Sequence, residues 1–288
     1  MQTQLDMLRA FASSAVSPSP HLGPDDPELV WGPATSTLPL APHWRGSARF
    51  EAEQVAAQCD QSTDNGSRRP AFLEQFCQPI DELLARRHLK VLQAGSGVGN
   101  WIPFLSSRVG TLEFVGVERS VQAITEARRR YGDQTGIEFI KADLLKTPPL
   151  GQFDLVLLDY ELLNHFSMTN AQRLIAWAGR HLLPGGRIFG DIRLQSRASQ
   201  NRNFIFEKYG VGVWYRDGCL SPGVEGRAAA FYELSTGNIL RLFQDVLWVP
   251  EQKSLCALFE GHHHQLKPLA GLETDKAECK ATVSFVLS

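Results

Sequence analysis

The chain has 288 residues, 43% of them hydrophobic, and a formal net charge of −2 at pH 7, which suits one large domain or one core with appendages. The near-neutral charge and the lack of a basic block argue against a nucleic-acid-binding protein. The five cysteines are scattered without a C-x-x-C pair, so we expect no disulfide framework, no zinc site and a cytoplasmic location. No run of about eighteen apolar residues occurs, so we expect no membrane span.

Residues 1–69 are predicted to form an arm ahead of the core. A short helix is expected at residues 5–15, a proline-rich stretch with Trp31 and Trp44 follows, and residues 59–69 are expected to form an exposed loop. The proline-rich stretch is compatible with disorder, but two tryptophans are costly to leave in water. We therefore favour an arm that packs on the rest of the chain.

A helix at residues 71–87 is predicted to lead into a glycine-rich turn. The strand at residues 91–94 breaks into Gly95, Gly97 and Gly99, and a further helix is expected near residues 101–107. Glycines permit positive φ and close approach of a ligand, and the start of a helix offers unpaired N–H groups. The segment therefore indicates either a tight strand-to-helix turn or a cradle for a nucleotide-like ligand. It is not the G-x-G-x-x-G fingerprint, because Asn100 replaces the third glycine, and it is not a P-loop.

An acidic residue follows each of the next two predicted strands. Glu118 ends the strand at residues 112–117, about twenty residues past the glycines, where it could accept both hydroxyls of a ribose. Asp143 follows the strand at residues 137–140 and could meet the amino group of an adenine. Between them, Ser120 is expected to cap a helix at residues 121–131. We interpret the arginines at 128–130 as a solvated helix face rather than a nucleic-acid site.

The apolar strand at residues 153–158 is expected to lie inside a parallel sheet, buried on both faces. The polar segment 159–166 follows its carboxyl end, where open α/β sheets bind ligands. A helix capped by Thr169 or Asn170 is expected to run to His181, and the turn L-L-P-G-G introduces a strand at residues 187–192.

The C-terminal third is predicted to be mainly antiparallel. Strands are expected at residues 204–209, 212–215, 228–234 and 239–249, with a hairpin turn at 235–238. A helix at residues 251–259 and strands at 266–270 and 281–287 follow. His262, His263 and His264 resemble a metal-binding tract, but an exposed turn is the favoured interpretation.

The order of these motifs resembles that of class I S-adenosylmethionine-dependent methyltransferases. The glycine turn, Glu118, the segment 142–144, the strand 153–158 and the L-x-P-G-G turn carry the resemblance, which covers residues 75–195 best. It implies an α/β fold with a Rossmann-like, mostly parallel sheet and an antiparallel C-terminal strand. The implied organisation is an N-terminal arm or lid (1–69), a cofactor-binding core (70–194), an inserted antiparallel β-platform that roofs the substrate (195–249) and a C-terminal completion of the core sheet (250–288).

The resemblance also implies S-adenosylmethionine as cofactor and a set of residues that bind it. That set is Gln93, Ala94, Gly95, Ser96, Gly97, Gly99, Asn100, Trp101, Glu118, Arg119, Ala142, Asp143, Leu144, Asp159 and Tyr160. Gln93 departs from the family, which has Asp or Glu just before the glycines to orient the methionine end of the cofactor. A glutamine still accepts a hydrogen bond.

Methyl transfer needs a positioned nucleophile and, for some acceptors, a base that removes its proton. His165 is the first candidate base, because histidine titrates near neutral pH, with packing at a helix start as the alternative. Tyr160 is the second catalytic candidate; it would either touch the nucleophile or the sulfonium or pack under the cofactor. The candidate substrate-binding residues are Trp44, Glu161, His165, Arg193, Tyr209, Tyr215 and Arg241.

We therefore expect methyl transfer of the EC 2.1.1 type to an N, O or C atom of a small molecule, in secondary metabolism. The tetrapeptide Asn/Asp-Pro-Pro-Tyr/Phe, which marks enzymes acting on exocyclic base amines or protein amides, is absent after residues 153–158. A small-molecule substrate is the expected partner, and no binding of nucleic acid, membrane or metal is expected. The chain could also form a homodimer.

Other functions remain as alternatives at this point. The fold could serve a cyclase or isomerase that uses the bound cofactor electrostatically, or a non-catalytic partner. A nicotinamide-binding protein is disfavoured by Asn100. A metal-dependent catechol-type enzyme would use Asp159 and Asp191, but Ile192 stands where that class has an asparagine, and hard cations need several oxygen ligands.

Overall fold

The computed structural model describes residues 40–41, 52, 55–56, 59, 80–146, 150–194, 201–206, 211–221, 224–235, 238–247, 250, 254–259, 264–268 and 282–287. The strands are β1 Leu40–Ala41, β2 His88–Ala94, β3 Thr111–Glu118, β4 Ile137–Lys141, β5 Phe153–Leu158, β6 Leu182–Arg193, β7 Asn201–Phe206, β8 Val211–Ser221, β9 Val224–Ser235, β10 Asn238–Leu247, β11 His264–Pro268 and β12 Thr282–Leu287. The helices are α1 Asp81–Leu84, α2 Ile102–Ser106, α3 Val121–Tyr131, α4 Met168–Arg180 and α5 Ser254–Leu258, with short 3-10 helices at Leu144–Lys146 and Leu162–His165. The predictions for the helix at 5–15, the proline-rich stretch, Trp44, Tyr209, His262 and His263 lie outside the described residues.

The chain divides into two compact units, each with its own sheet. One sheet has five strands in the order β1-β10-β9-β8-β7. Its β7 to β10 strands pair antiparallel, and the predicted hairpin is confirmed, because Asn238 of β10 pairs with Ser235 of β9. The short β1 runs parallel to β10, which the sequence did not predict.

The other sheet has seven strands in the order β11-β12-β6-β5-β2-β3-β4. Neighbours from β6 to β4 pair in parallel, while β12 is antiparallel to β6 and β11 is antiparallel to β12. This confirms the predicted mostly parallel α/β sheet that ends in an antiparallel pair.

The core of the seven-stranded unit is built on apolar strands covered on both faces. Residues 155–158 of β5 have no exposed surface, and neither have Leu89, Val91 and Leu92 of β2. Fully burying one such side chain contributes about 1.5–3 kcal/mol relative to leaving it exposed. The helix α3 adds Ala123, Ile124 and Ala127 to this core. Continuous apolar strands therefore hold the sheet in place beneath its carboxyl edge.

The element boundaries agree with the sequence at several points. The bounds of β5 match the prediction, and Ser120 caps α3 by accepting a hydrogen bond from the Ala123 N–H at 3.2 Å. The predicted helix at 71–87 is described only from residue 80 onward, and its α-helical part ends at Leu84 rather than at residue 87.

Other local predictions were wrong. The helix α4 begins at Met168, so Thr169 and Asn170 lie inside its first turn and do not cap it. The L-L-P-G-G segment does not precede β6 but forms its start, where the pairing with β5 shifts register and Gly185 adopts φ 77°. His264 belongs to β11 rather than to a turn, and Cys59 is helical rather than part of a loop.

Among the described residues, no helix combines the length and apolar character needed to span a membrane.

Candidate active site

The order of strands defines one preferred crevice in the seven-stranded sheet. The strand β2 pairs with β3 on one side and with β5 on the other, so the chain reverses direction across the sheet at β2. Ligands of open α/β sheets bind outside the carboxyl ends of the strands at such a point. The predicted cofactor residues that follow β2, β3 and β5 therefore meet along one edge.

The segment after β2 forms a tight turn through three left-handed glycines. Gly95, Gly97 and Gly99 have φ angles of 67°, 54° and 79°. The N–H groups of Gly95 and Ser96 both donate to the Val117 carbonyl oxygen, at 2.8 and 3.1 Å. These bonds fold the turn back over the end of β3. The conformation is one that residues with a Cβ adopt only with strain, which explains the alternating glycines.

A further glycine, which the sequence analysis missed, lets this turn approach the sheet. A Cβ built on Gly116 of β3 would lie 2.6 Å from Ser96 Oγ and 2.8 Å from Phe139 Cδ1. Any side chain at this position would push the glycine turn outward. A glycine inside a predicted strand is the sequence signal that could have revealed this close approach.

The carboxylate of Glu118 ties the glycine turn to the end of β3. One oxygen accepts from the Gly97 N–H at 3.0 Å, and the other accepts from the N–H groups of Arg119 and Ser120 at 2.7 and 2.8 Å. A carboxylate offers about four acceptor positions, so acceptor capacity remains for a hydroxyl group. Glu118 is half-buried and the Arg119 side chain is exposed.

Three buried side chains meet at the switch point itself. Gln93 of β2 donates through Nε2 to Asp159 Oδ1 at 2.9 Å, and Trp101 donates through Nε1 to the other oxygen of Asp159. Gln93, Trp101 and Asp159 are 1%, 2% and 4% exposed. The sequence placed these residues at the site singly; the structure joins them into one network between β2 and β5.

Two acceptors at this point have no hydrogen-bond partner within the described part of the chain. They are Gln93 Oε1 and Ser96 Oγ, both buried. A buried polar atom without a partner costs free energy, so a ligand that donates hydrogen bonds here would relieve that cost. The site thus suits a ligand with donor groups that approaches the glycine turn closely.

The remaining predicted cofactor residues occupy the rim of this edge. Asn100 accepts from Arg130 Nη1 at 3.2 Å, and Arg128 donates to the Phe139 carbonyl at 2.6 Å. The arginines of α3 are therefore not only a solvated face. After β4, Asp143 accepts from the Leu145 N–H at 3.1 Å. Ala94 and Leu144 are buried, while Ala142 is half-buried.

The turn after β5 adopts an unusual backbone conformation. Tyr160 and Glu161 have φ angles of 58° and 56°, although neither is glycine. The Glu161 N–H donates to Asp191 Oδ1 of β6 at 3.2 Å, and Glu161 Oε1 lies 3.6 Å from Arg193 Nη1. The Tyr160 side chain is largely exposed at 55%.

Asp191 sits in an environment that opposes its ionisation. Burial, followed by the negative charges of Glu161 and Asp159, raises the pKa of Asp191 well above its ordinary value. Hydrogen bonds from the backbone of Glu161 and Tyr160 act in the opposite direction. Sequence reasoning considered Asp191 only as a metal ligand; here it binds the turn after β5.

The other candidate residues lie on separate elements of the chain. His165 ends the 3-10 helix Leu162–His165 and is half-buried. Arg193 is buried and paired with Glu161, while Tyr215 lies in β8 and Arg241 in β10. Among the side chains that are described, no group of three or more His, Cys, Asp or Glu residues is arranged to hold a metal ion.

Known proteins resemble both the sequence and the fold of this chain. A family model described as a methyltransferase domain matches residues 91–186. The chain is also similar to the demethylmenaquinone methyltransferase of Deinococcus radiodurans, with 29% identity over 197 residues, 68% of this chain and 72% of that protein.

Solved structures show the same fold at low sequence identity. An S-adenosylmethionine-dependent methyltransferase from Clostridium acetobutylicum matches with a TM-score of 0.56 and 13% identity, over 82% of this chain and 97% of that one. The sugar N-methyltransferase KedS8 from Streptoalloteichus matches with a TM-score of 0.52 and 18% identity, over 79% of this chain and 92% of that one. Residues 91–186 thus match a methyltransferase domain, and the chain has the fold of S-adenosylmethionine-dependent methyltransferases.

Proposed function

We propose that the protein binds S-adenosylmethionine at the carboxyl ends of β2, β3 and β5 and transfers its methyl group to a small-molecule acceptor. The observation that carries the proposal is the glycine turn at the switch point. It is folded against Glu118 and lies beside a buried Gln93 Oε1 that has no partner among the described residues.

Each part of the proposed site suits a different part of the cofactor. Glu118 keeps acceptor capacity for one ribose hydroxyl beside its three backbone hydrogen bonds, and Asp143 after β4 would accept from the adenine amino group. Gln93 Oε1 would accept from the donors of the amino-acid end, with the Asp159 carboxylate beside it to favour a positive charge. The glycines leave room for this approach because they carry no Cβ.

When bound, the cofactor supplies a methyl group already activated on a sulfonium. The chain's own residues then have to exclude water, align the acceptor and, where necessary, accept its proton. We propose His165 as the base and Tyr160 as a contact for the reacting groups. Glu161, Arg193, Trp44, Tyr209, Tyr215 and Arg241 remain proposed acceptor-binding residues.

The acceptor is proposed to be a small molecule methylated on N, O or C, with a role in secondary metabolism. The demethylmenaquinone methyltransferase and the sugar N-methyltransferase described above support a small acceptor. We propose that residues 195–249 form the acceptor platform and residues 1–69 a lid over the core at 70–194, which residues 250–288 complete. The antiparallel pairing of β7 to β10 supports a platform.

Calorimetric titration with S-adenosylmethionine and with S-adenosylhomocysteine tests the proposed cofactor, with nicotinamide adenine dinucleotide as the matched control. We expect both sulfur-containing ligands to bind at micromolar concentration and the dinucleotide not to bind. Absence of binding of either ligand at millimolar concentration would overturn the proposal.

A methyl-transfer assay against a panel of amines, phenols and sugars then tests the reaction. Methyl transfer to one of these acceptors supports the proposal. A converted substrate alongside unchanged S-adenosylmethionine would instead identify a cyclase or isomerase on the same fold.

The variant His165→Ala tests the proposed base. With an acceptor found in the panel, we expect the turnover rate to fall about a hundredfold, because a positioned base contributes at least that factor. His88→Ala is the control, since His88 is an exposed histidine at the start of β2 that bonds Glu113 at 2.9 Å. Wild-type turnover by a folded His165→Ala protein would show that His165 is not the base and has a structural role.

A further inference from the structure

The turn after β5 is held in a conformation that its own residues disfavour. Among the described residues, Tyr160 and Glu161 are the non-glycine residues with positive φ, and they are adjacent. A Cβ in the left-handed region crowds the following carbonyl, so such residues persist only where other contacts hold them. The question is which group of the protein supplies those contacts.

Asp191 is one group that supplies such contacts, and it lies on β6, inside the seven-stranded sheet. Its strand β6 is paired with β5 on one side and with β12 on the other, with Asp191 opposite Ser284. The neighbouring Gly190 lies so close to β5 that an added Cβ would be 2.3 Å from the Leu158 carbonyl oxygen. From this fixed position the Asp191 carboxyl accepts from the backbone of both Glu161 and Tyr160.

We propose that Asp191 is a positioning residue of this site: it fixes the left-handed turn at Tyr160 and Glu161 and thereby the place of the Tyr160 ring. Tyr160 is 55% exposed and directly follows the buried Asp159 in the chain, so a ligand can reach it. The effect on ligand binding rests on the proposed function, whereas the effect on the turn does not.

The charges around Asp191 make this arrangement sensitive to pH. Asp159 and Glu161 are acidic neighbours, and Arg193 offsets part of the Glu161 charge at 3.6 Å. Because burial and these carboxylates raise the pKa of Asp191, the closed turn favours its neutral form. Opening the turn to water would favour the ionised form, so by linkage the turn loosens as the pH rises. The neutral carboxyl still accepts N–H bonds through its carbonyl oxygen.

Fluorine NMR of protein labelled with 3-fluorotyrosine, without ligand, tests the turn directly. Tyr160→Phe identifies the Tyr160 resonance by its disappearance. As the pH rises through the raised pKa of Asp191, within the range below the titration of tyrosine, we expect this resonance to shift in the wild-type protein. In Asp191→Asn the shift with pH should be lost, because an amide accepts the same N–H bonds but does not titrate. In Asp191→Ala the resonance should move or broaden at every pH.

Asp154→Asn is the matched control. Asp154 also accepts a backbone N–H, from Lys90 at 3.0 Å, but it lies near the start of β5. Its substitution should leave the Tyr160 resonance as in the wild-type protein. A Tyr160 resonance that is unchanged in Asp191→Ala would overturn the inference. If that variant does not fold, a wild-type pH shift in Asp191→Asn overturns it instead.

Titration of the same proteins with S-adenosylhomocysteine gives the functional readout. We expect affinity to fall at least tenfold in Asp191→Ala, to stay within threefold of wild type in Asp191→Asn and to be unchanged in Asp154→Asn. Equal affinity of Asp191→Ala and wild type would contradict a role of the turn in binding. Failure of the wild-type protein to bind would overturn the proposed function, while the fluorine spectra would still decide the role of Asp191.

Discussion

Two turns border the same crevice, one after β2 and one after β5, and both need left-handed backbone. The turn after β2 uses Gly95, Gly97 and Gly99. The turn after β5 uses Tyr160 and Glu161, whose strain Asp191 offsets from another strand. The first turn is built from residues that adopt its conformation readily, whereas the second depends on a partner 30 residues away.

The difference shows which left-handed turns can be recognised from the sequence. A glycine marks a left-handed position locally, because only glycine adopts it without strain. A strained turn with ordinary side chains carries no such mark, and its support becomes visible only when the strands are assembled. In exchange, it can present a large aromatic side chain, which a glycine cannot.

The largest effect is expected where the two turns are joined, at Asp159. Asp159→Ala removes the acceptor of the Gln93 amide and the Trp101 indole N–H, both buried. Hydrogen bonds to a charged acceptor contribute about 1.5–3 kcal/mol each, so the loss of two should lower the free energy of unfolding by about 3–6 kcal/mol. Urea denaturation followed by circular dichroism measures it.

Asp154→Ala is the control, because it removes an aspartate at the other end of β5. Its partners are the exposed Arg86 at 2.6 Å and the Lys90 N–H, so we expect a loss of about 1 kcal/mol. Equal losses in the two variants would show that the Asp159 network does not join the two turns energetically.

A second prediction separates strain from crowding in the glycine turn. Gly99 and Gly185 have nearly the same φ, 79° and 77°, but a Cβ on Gly99 would lie 3.1 Å from Ile102, Phe139 and Tyr131, whereas a Cβ on Gly185 meets nothing within 4 Å. Left-handed strain costs about 1–2 kcal/mol, and crowding adds about 1–2 kcal/mol for Gly99→Ala. Thermal unfolding should therefore show a loss of about 2–4 kcal/mol for Gly99→Ala and about 1–2 kcal/mol for Gly185→Ala. The decisive result is that Gly99→Ala loses more stability than Gly185→Ala. The reverse order would contradict the prediction.

A third prediction concerns Glu118, which closes the glycine turn. Glu118→Ala removes three backbone hydrogen bonds and the proposed ribose contact, so binding of S-adenosylhomocysteine should weaken by about 1–3 kcal/mol. Glu118→Gln keeps one acceptor oxygen and should lose less. Calorimetry measures both, with Glu113→Ala, an exposed glutamate at the far end of β3, as the control. Unchanged affinity in Glu118→Ala would remove Glu118 from the binding site.

The smallest expected effect for a single step, here one pH unit, is a pH dependence of stability at the second turn. The pKa of Asp191 is raised in the folded protein, so its stabilising contribution is present at low pH and is lost as the pH rises through the folded-state pKa. The amide of Asp191→Asn does not titrate. The stability of wild type relative to this variant should therefore fall with increasing pH, by up to about 1.4 kcal/mol per pH unit. Urea melts at several pH values would show it, and a constant difference would argue against a buried, titrating Asp191.

The same contrast explains how much of the molecule could be predicted. The strand β5 and the Ser120 cap are encoded within a few residues, by an apolar run and by a serine ahead of a helix. The helix start at Met168 was missed because Thr169 and Asn170 are common cap residues whose place depends on packing. The role of Asp191 could not be predicted, because it follows from the pairing of β6 with β5.

The separation in sequence between Asp191 and the turn after β5 also predicts an order of events during folding. The glycine turn needs only β2 and β3, which are adjacent in the chain, so its Gly95 to Val117 bond forms with the first parallel pair. The turn after β5 cannot be held until α4 has formed and β6 has docked, and closing that longer loop has an additional entropic cost. We therefore expect the unfolded chain to form the glycine turn of the crevice early and the turn at Tyr160 late, so a local opening of β6 would release the second turn and leave the first intact.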